Sequence, residues 1–289
     1  MKDGIILIDK PQGITSFTAV AILKRRLGVK CGHSGTLDPL ATGLLPIMCG
    51  KATKLCSYLT EGDKRYIAKM KFGVATDSYD ITGNITETDN SIITKEQILE
   101  VLPEFTGVIK QIPPAYSAIK VGGTALYKLA REGKEVKVPE REITVYSIEV
   151  ISFDNGELEM DVRCSKGTYI RSLCHDIAKR LGTVGVMSAL RRVETGGWSV
   201  EDAVGPDFEQ LEERIIPLEK ALEGYPKFNP GKFFGELLSN GCAIDMIKLK
   251  NVPEGICRVY CENCLLGLGS RIEKDGKEYF KIITHLKAD

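Results

Sequence analysis

An α+β fold followed by a small β-rich unit is what this sequence predicts, and three observations carry the prediction. Strand-like and helix-like runs are interleaved as far as Gly224. Two of the strand-like runs flank Asp154-Asn155-Gly156, a strong hairpin signal. Beyond Gly224, apart from one helical stretch, only short apolar runs split by glycines remain, which places a domain boundary there. The chain of 289 residues is long enough for a large core, and 43% hydrophobic with 27% charged residues excludes a disordered polymer.

Each element has its own signal. Ile5 to Ile8 has the pattern of a buried strand, and DKPQG after it is a turn punctuated by Pro11 and Gly13. Ser16 is placed to cap a helix that carries Phe17, Val20, Ala21, Leu23 and Leu27 inward and stops at Gly28. The segment from Gly32 to Pro46 reads as a loop. Arg65 to Val74 alternates as a strand, and Asp77 to Asn84 is a polar loop. Thr94 to Gln97 is a capping box for a helix running to about Leu102, where Pro103 interrupts. Gln111 to Gly123, with two adjacent prolines, is an irregular insert, and TALYKLAREG after it reads as a short helix. Ile143 to Phe153 and Glu157 to Cys164 are the arms of the hairpin. Tyr169 to Leu181 is a helix with Ile170, Leu173, Ile177 and Leu181 on one face, ended by Gly182. Helical patterning returns from Phe208 to Leu222. The tail reads as a helix near Phe233 to Ser239 and strands over Cys242–Leu249, Ile256–Cys261, Leu265–Arg271 and Tyr279–Leu286.

Composition excludes several function classes. No run of eighteen apolar residues exists, so no membrane span is expected. The N-terminal MKDGIILIDKPQG lacks a signal-peptide core and cleavage site, which points to the cytoplasm. The nine cysteines then read as reduced thiols; the spacings of four and three in Cys257, Cys261 and Cys264, with Cys242 upstream, could hold zinc, but a second C-x-x-C to pair with Cys261–Cys264 is missing and the region otherwise reads as strands. The 39 basic and 39 acidic residues cancel, so any nucleic-acid binding must come from local clusters such as Lys24-Arg25-Arg26, Lys64-Arg65 and Arg191-Arg192.

The candidate chemistry lies in GHSGTLDPLATGLLP, Gly32 to Pro46. Pro39 biases Asp38 toward extended backbone, and Gly35 and Gly43 allow sharp turns on either side. Two readings of Asp38 stand on spacing: a carboxylate aimed by a rigid loop, and an Asx-turn acceptor that organises its own loop. Ser34 and His33 lie beside it, but no G-x-S-x-G elbow surrounds the serine. His175 lies beside the apolar face of its helix and His285 in the tail; none of the three histidines has a metal-ligand spacing. In CSKGTYIRS, Arg171 sits at a helix start, where the macrodipole favours acids, so it is read as facing a carboxylate.

These segments resemble the motifs of the TruB-type pseudouridine synthases, which isomerise uridine 55 in the T arm of tRNA. IDKPQGITS resembles the family's opening motif, GHSGTLDPLATGLLP its catalytic motif, and DKRYIAKMKFGVATDSYDITG its next block. QIPPAYSAIKVGGTALYKLAREG is similar to the insert of the stand-alone bacterial type, and CSKGTYIRSL and the LRR at Leu190 complete the set in order.

The resemblance implies a central, mainly antiparallel sheet flanked by helices over 1–223, with a thumb insert at about 111–133. It implies a PUA-like RNA-binding β-barrel over 224–289. Asp38 becomes the catalytic carboxylate, with Arg171 as its cation. Tyr66 becomes the residue that stacks on uracil, its hydroxyl available to the C5 proton. His33 fills the space left in the RNA loop, Tyr169 and Leu190 line the pocket, and Asp80 is a polar contact near the nucleotide. Lys10, Lys64, Lys120 and Arg191 are candidates for phosphate contact. The implied partner is the tRNA T arm, with the target base flipped out. No cofactor, metal, membrane or protein partner is implied, and a monomer is expected. The rival readings are a non-enzymatic RNA-binding protein and a hydrolase using Ser34 and His33.

Overall fold

A computed structural model describes residues 2–59, 62–114, 116–117, 120–121, 124–125 and 138–286. Among them, a ten-stranded sheet forms the body. Its path is β14 (Ile216–Pro217), β1 (Gly4–Lys10), β3 (Thr42–Cys49), β12 (Gly185–Thr195), β4 (Lys64–Phe72), β11 (Glu157–Cys164), β10 (Arg141–Asp154) and β7 (Gly107–Gln111). Off this path, β2 (Cys31–His33) pairs with β3, and β13 (Trp198–Ser199) with β12. Two small ladders, β5 (Val74–Thr76) with β6 (Ile85–Thr88) and β8 (Lys120–Val121) with β9 (Thr124–Ala125), and a second sheet described below complete the strands among the described residues. The β10–β11 hairpin turns through Asn155 and Gly156 at φ 49° and 74°, the mirror-image geometry that matches strand twist.

One pairing in the body is parallel, β3 with β12, where Thr42 and Gly43 face Arg191 and Arg192. Gly43 is obligatory there. It adopts φ 98°, and a Cβ would meet the Arg192 carbonyl oxygen at 2.3 Å. Register then aligns Lys10, Gly43, Arg192, Tyr66 and Val162 in one row across five strands. Strand side chains alternate between faces, so Lys10, Arg192 and Tyr66 share one face, whereas their neighbours Asp9 and Arg191 take the other. The first face packs Ile6, Ile8, Leu45, Ile47 and Met70 against α1 (Ser16–Leu27) and α4 (Ile170–Arg180). The opposite face buries Ile5, Leu7, Leu44 and Met48 beneath Trp198, Ile216 and Leu218.

Several elements differ from the expectation. Thr15, not Ser16, caps α1, accepting from the Thr18 amide. Ser16 is buried inside the first turn, while Phe17 and Ala21 face solvent. Part of the segment read as loop is strand: β2 ends inside it and β3 begins inside it. β12 carries no simple alternation and was not anticipated. The span from Phe208 to Leu222 is not a helix. A 3-10 turn, the two-residue β14 and the short α5 (Leu218–Ala221) share it, because Pro217 holds Ile216 extended against β1. In the insert, Thr124 and Ala125 are strand, and the rest of the expected helix lies outside the described residues. The capping box is present: Thr94 accepts from the Gln97 amide and Gln97 from the Thr94 amide, at the start of α3 (Lys95–Val101).

The tail forms a five-stranded sheet in the order β15 (Lys227–Phe228), β17 (Cys257–Cys261), β18 (Cys264–Lys274), β19 (Lys277–His285), β16 (Ile244–Asp245). With α6 (Lys232–Ser239) it encloses its own core of Phe228, Leu238, Val259, Phe280 and Ile282. Leu55 and Leu222 of the body meet Leu268 and Leu286 of the tail in a shared apolar joint. A hydroxyl pair, Tyr58 and Thr284 at 2.9 Å, and Lys54 donating to the His285 carbonyl at 2.9 Å rim it. Cys257 is buried in the tail's core, and no three His, Cys, Asp or Glu side chains among the described residues converge as a metal site.

Candidate active site

Three independent tethers position the Asp38 loop. The buried Ser16 hydroxyl donates to the Leu37 carbonyl at 2.9 Å and accepts from the Leu37 amide at 2.8 Å. The Gly13 amide donates to the Pro39 carbonyl at 2.8 Å, tying the DKPQG turn to the residue after Asp38. Arg192, 1% exposed, donates to Gly35 O at 2.9 Å and Leu44 O at 2.8 Å, and so staples both ends of the loop to β12. Gly35 leaves room for that guanidinium: at φ 71°, its Cβ would come within 3.2 Å of Nη1.

The Asp38 carboxylate faces Arg171 from the first turn of α4. Arg171 Nε lies 3.0 Å from Oδ2 and Nη2 3.4 Å from Oδ1, a forked contact. Asp38 remains 36% exposed at its mouth, whereas the Arg171 side chain is only 6% exposed. The rest of the guanidinium is satisfied from elsewhere: the Ser78 carbonyl at 3.1 Å, the Tyr116 carbonyl at 2.8 Å, and Asp80 Oδ2 at 3.7 Å. Asp80 is itself buried and accepts from Ser78 Oγ, Thr82 N and Thr82 Oγ1 at 2.6–3.0 Å. Its polar loop is docked on β12 by the Ile81 amide to the Met187 carbonyl and the Met187 amide to the Tyr79 carbonyl.

The electrostatics follow from this packing. Burial raises the Asp38 carboxyl above the usual carboxylate range, and the Asp80 charge pushes it the same way; Arg171 and Lys10 oppose both. Burial brings the Lys10 ammonium down to about 8, partly offset by Asp38. Tyr66, 6% exposed, has its phenol raised by burial, with Arg192 acting against the shift. His33 is lowered by burial and then by Arg192, so the ring is neutral at pH 7. Its Nδ1 is buried and finds no hydrogen-bond partner among the described residues.

The remaining candidates divide. Tyr169 caps α4 as a half-buried residue, and Leu190 packs half-buried against the core beside Ala68. His33 stands on β2 with the Phe17 ring edge-on to it. Lys10 does not fit phosphate contact: it is fully buried and donates to the Pro11 and Ile14 carbonyls at 2.8 Å, shaping the opening turn. Arg191 points to the opposite face of the sheet, where it forks onto Asp9 at 2.7 and 3.0 Å. The site uses its neighbour Arg192 instead. Lys64 is half-buried and donates to the Gly62 carbonyl at 2.7 Å. The Lys120 backbone lies in β8; its side chain is outside the described residues. Ser34 is buried and donates to the Leu59 carbonyl at 3.3 Å, so its hydroxyl is committed to the fold.

Sequence reasoning missed Ser16, Gln111 and Arg192. Gln111, 3% exposed, accepts from the Tyr169 amide at 2.8 Å and donates to the Tyr169 carbonyl at 3.0 Å. Ser172 Oγ donates to the Ile112 carbonyl at 2.8 Å. With Tyr116 on Arg171, these bonds seat the stem of the insert on the first turn of α4. The available signal was that Gln111 opens QIPPAYS and Tyr169 opens the Arg171 turn.

Residues 22–170 match the N-terminal domain of the TruB family pseudouridylate synthases, and residues 171–223 the C-terminal domain of tRNA pseudouridylate synthase B. The chain is 45% identical over 285 residues to tRNA pseudouridine synthase B of Clostridium perfringens, covering 95% of this chain and 97% of that protein. It is 44% identical over 291 residues to tRNA pseudouridine synthase B of Clostridium tetani, covering 98% and 99%. Among solved structures, an H/ACA ribonucleoprotein bound to a substrate RNA containing 2'-deoxyuridine is similar with a TM-score of 0.71 and 25% identity, over 99% of this chain and 85% of that one. A Cbf5-Nop10-Gar1 complex is similar with a TM-score of 0.70 and 28% identity, over 93% and 78%.

Proposed function

The chain belongs to the TruB family of pseudouridylate synthases, and from that premise we propose that it isomerises uridine 55 in the T loop of tRNA, with Asp38 as the catalytic carboxylate. One observation supports the assignment above the others: the partly exposed Asp38 carboxylate is held in a forked contact by a buried arginine, with the Tyr66 phenol near enough to feel its charge.

Isomerisation breaks the C1′–N1 bond, turns the uracil and forms C1′–C5; C5 loses a proton and N1 gains one. The change is balanced without an electron carrier. Attack of the carboxylate on C1′ and removal of the C2′ proton both require Asp38 to be ionised. Arg171 supplies the compensating charge in a site whose burial works against ionisation. Tyr66 offers its ring as the stacking surface, worth about 1–3 kcal/mol per base, and its hydroxyl as acceptor for the C5 proton. The target base must leave its stack to reach this row, a cost of a few kcal/mol that the pocket contacts offset.

The insert at about 111–133 serves in this reading as a thumb over the RNA loop, its described stem seated on α4. The division into a catalytic domain over 1–223 and a PUA-like RNA-binding domain over 224–289 rests on the separate core of the tail sheet. The protein acts as a cytoplasmic monomer without a protein partner; no described helix is long and apolar enough to cross a membrane.

Incubation with unmodified tRNA, followed by pseudouridine mapping, tests the reading. Modification at uridine 55, lost in Asp38→Ala, is expected. Full activity in that variant would overturn the site.

A further inference from the structure

Phe17 is the feature that the chemistry above leaves unused. It is 73% exposed although it sits in the first turn of α1, where the amphipathic pattern leads one to expect burial. The ring stands in water on the turn whose Ser16 holds the Asp38 loop.

Its position is fixed relative to Asp38. Thr15 caps the helix immediately before it. Ser16, the adjacent residue, makes both hydrogen bonds to Leu37, the residue before Asp38. The Phe17 backbone is therefore tied to the Asp38 loop through its neighbour Ser16. On its other side it meets His33 edge-to-face, with ring centroids 5.3 Å apart and planes at 75°. His33 is half-buried and close enough to Arg192 to feel its charge. His33 lies two residues before Gly35, whose carbonyl accepts from Arg192 at 2.9 Å, so the pair sits beside the Arg192 staple of the Asp38 loop.

We propose that Phe17, braced by His33, is a second stacking platform, which takes the face of a nucleobase splayed out of the substrate RNA next to the target uridine. This inference rests on the reading of the site as a uridine isomerase, and it assigns a binding residue that the reading does not contain. An edge-to-face contact leaves one face of the phenyl ring free for a parallel base. The platform is neutral, so it adds affinity without adding to the salt dependence of phosphate contacts. It also suits a chain with no net charge, which has no surplus of cations to hold RNA by electrostatics alone.

The test uses the full chain and a T-arm stem-loop carrying 2-aminopurine at loop positions flanking the target. Binding is measured in the Asp38→Asn background, so that no turnover occurs, and pseudouridine formation is measured with Asp38 intact. Phe17→Ala should weaken binding by about 5- to 150-fold, the range that corresponds to one lost base stack. Phe17→Trp should restore the affinity. Fluorescence of one loop position should be quenched on binding to the unaltered surface and to Phe17→Trp, and not to Phe17→Ala. The thermal midpoint of Phe17→Ala should equal that of the parent, because so exposed a ring contributes little to the core. Unchanged affinity and quenching in Phe17→Ala would overturn the platform while pseudouridine formation by the unaltered protein still upheld the site. A lowered thermal midpoint would also overturn it, by assigning Phe17 to the fold. Absence of pseudouridine with the unaltered protein would instead remove the reading on which the platform rests.

Discussion

At the scale of single residues, the site is a contest between burial and charge around Asp38. Its carboxyl is raised, so the folded state holds the proton more tightly than the unfolded chain does. Stability from this group is therefore highest below the ordinary carboxylate range and falls as pH rises toward the raised value. Asp38→Asn should consequently melt no lower than the parent at pH 7 while losing all turnover; a clear drop in melting temperature would contradict the sign of that shift. Turnover should rise with pH through the raised Asp38 value. Because the Lys10 cation lowers Asp38, Lys10→Met should move that acid limb to higher pH, as a rate profile would show. Arg171→Lys keeps the charge but loses the fork. With hydrogen bonds to charged groups worth about 1.5–3 kcal/mol, the rate should fall by about 10- to 150-fold in single-turnover kinetics.

At the scale of elements, the site exists because one parallel pairing joins two otherwise antiparallel halves. β3 and β12 meet at Gly43 and Arg192, and this places Lys10, Arg192 and Tyr66 in line. Gly43→Ala would drive a Cβ into the Arg192 carbonyl and force an L residue to φ 98°. Left-handed strain alone costs about 1–3 kcal/mol, so a marked loss of stability is expected in denaturant unfolding, with activity lost in step. Ser16→Ala tests a subtler link. It leaves the Leu37 amide and carbonyl buried and without their hydroxyl partner, at about 1–3 kcal/mol, and frees the loop that aims Asp38. Its rate defect should persist at temperatures where the variant is fully folded. The sequence showed the loop's punctuation but not its tethers. A serine one position from a cap looks like the cap, and Arg191 looks as eligible as Arg192 until strand parity separates them.

At the scale of the whole molecule, the body and tail are joined by a small apolar seam in which Leu268 is fully buried. Leu268→Ala should cost about 2–5 kcal/mol and lower the melting temperature, without touching the Asp38 pocket. The sequence by itself determined the elements whose signals are local. These are the hairpin at Asn155-Gly156, the capping box at Thr94, the amphipathic α4, the β-rich tail, and the family motifs that single out Asp38, Tyr66 and Arg171. Each is written within a few residues, because turn dihedrals, caps and helical faces depend on near neighbours. Tertiary structure alone decided that Lys10 and Arg192 are buried, that Arg191 turns away to Asp9, that Phe17 stands in solvent, and that β12 is a central strand. The strand outcomes depend on register, set for β12 by partners more than a hundred residues away, and a one-residue slip would send Lys10, Arg191 and Arg192 to the other face, whereas Phe17 is set by how α1 packs.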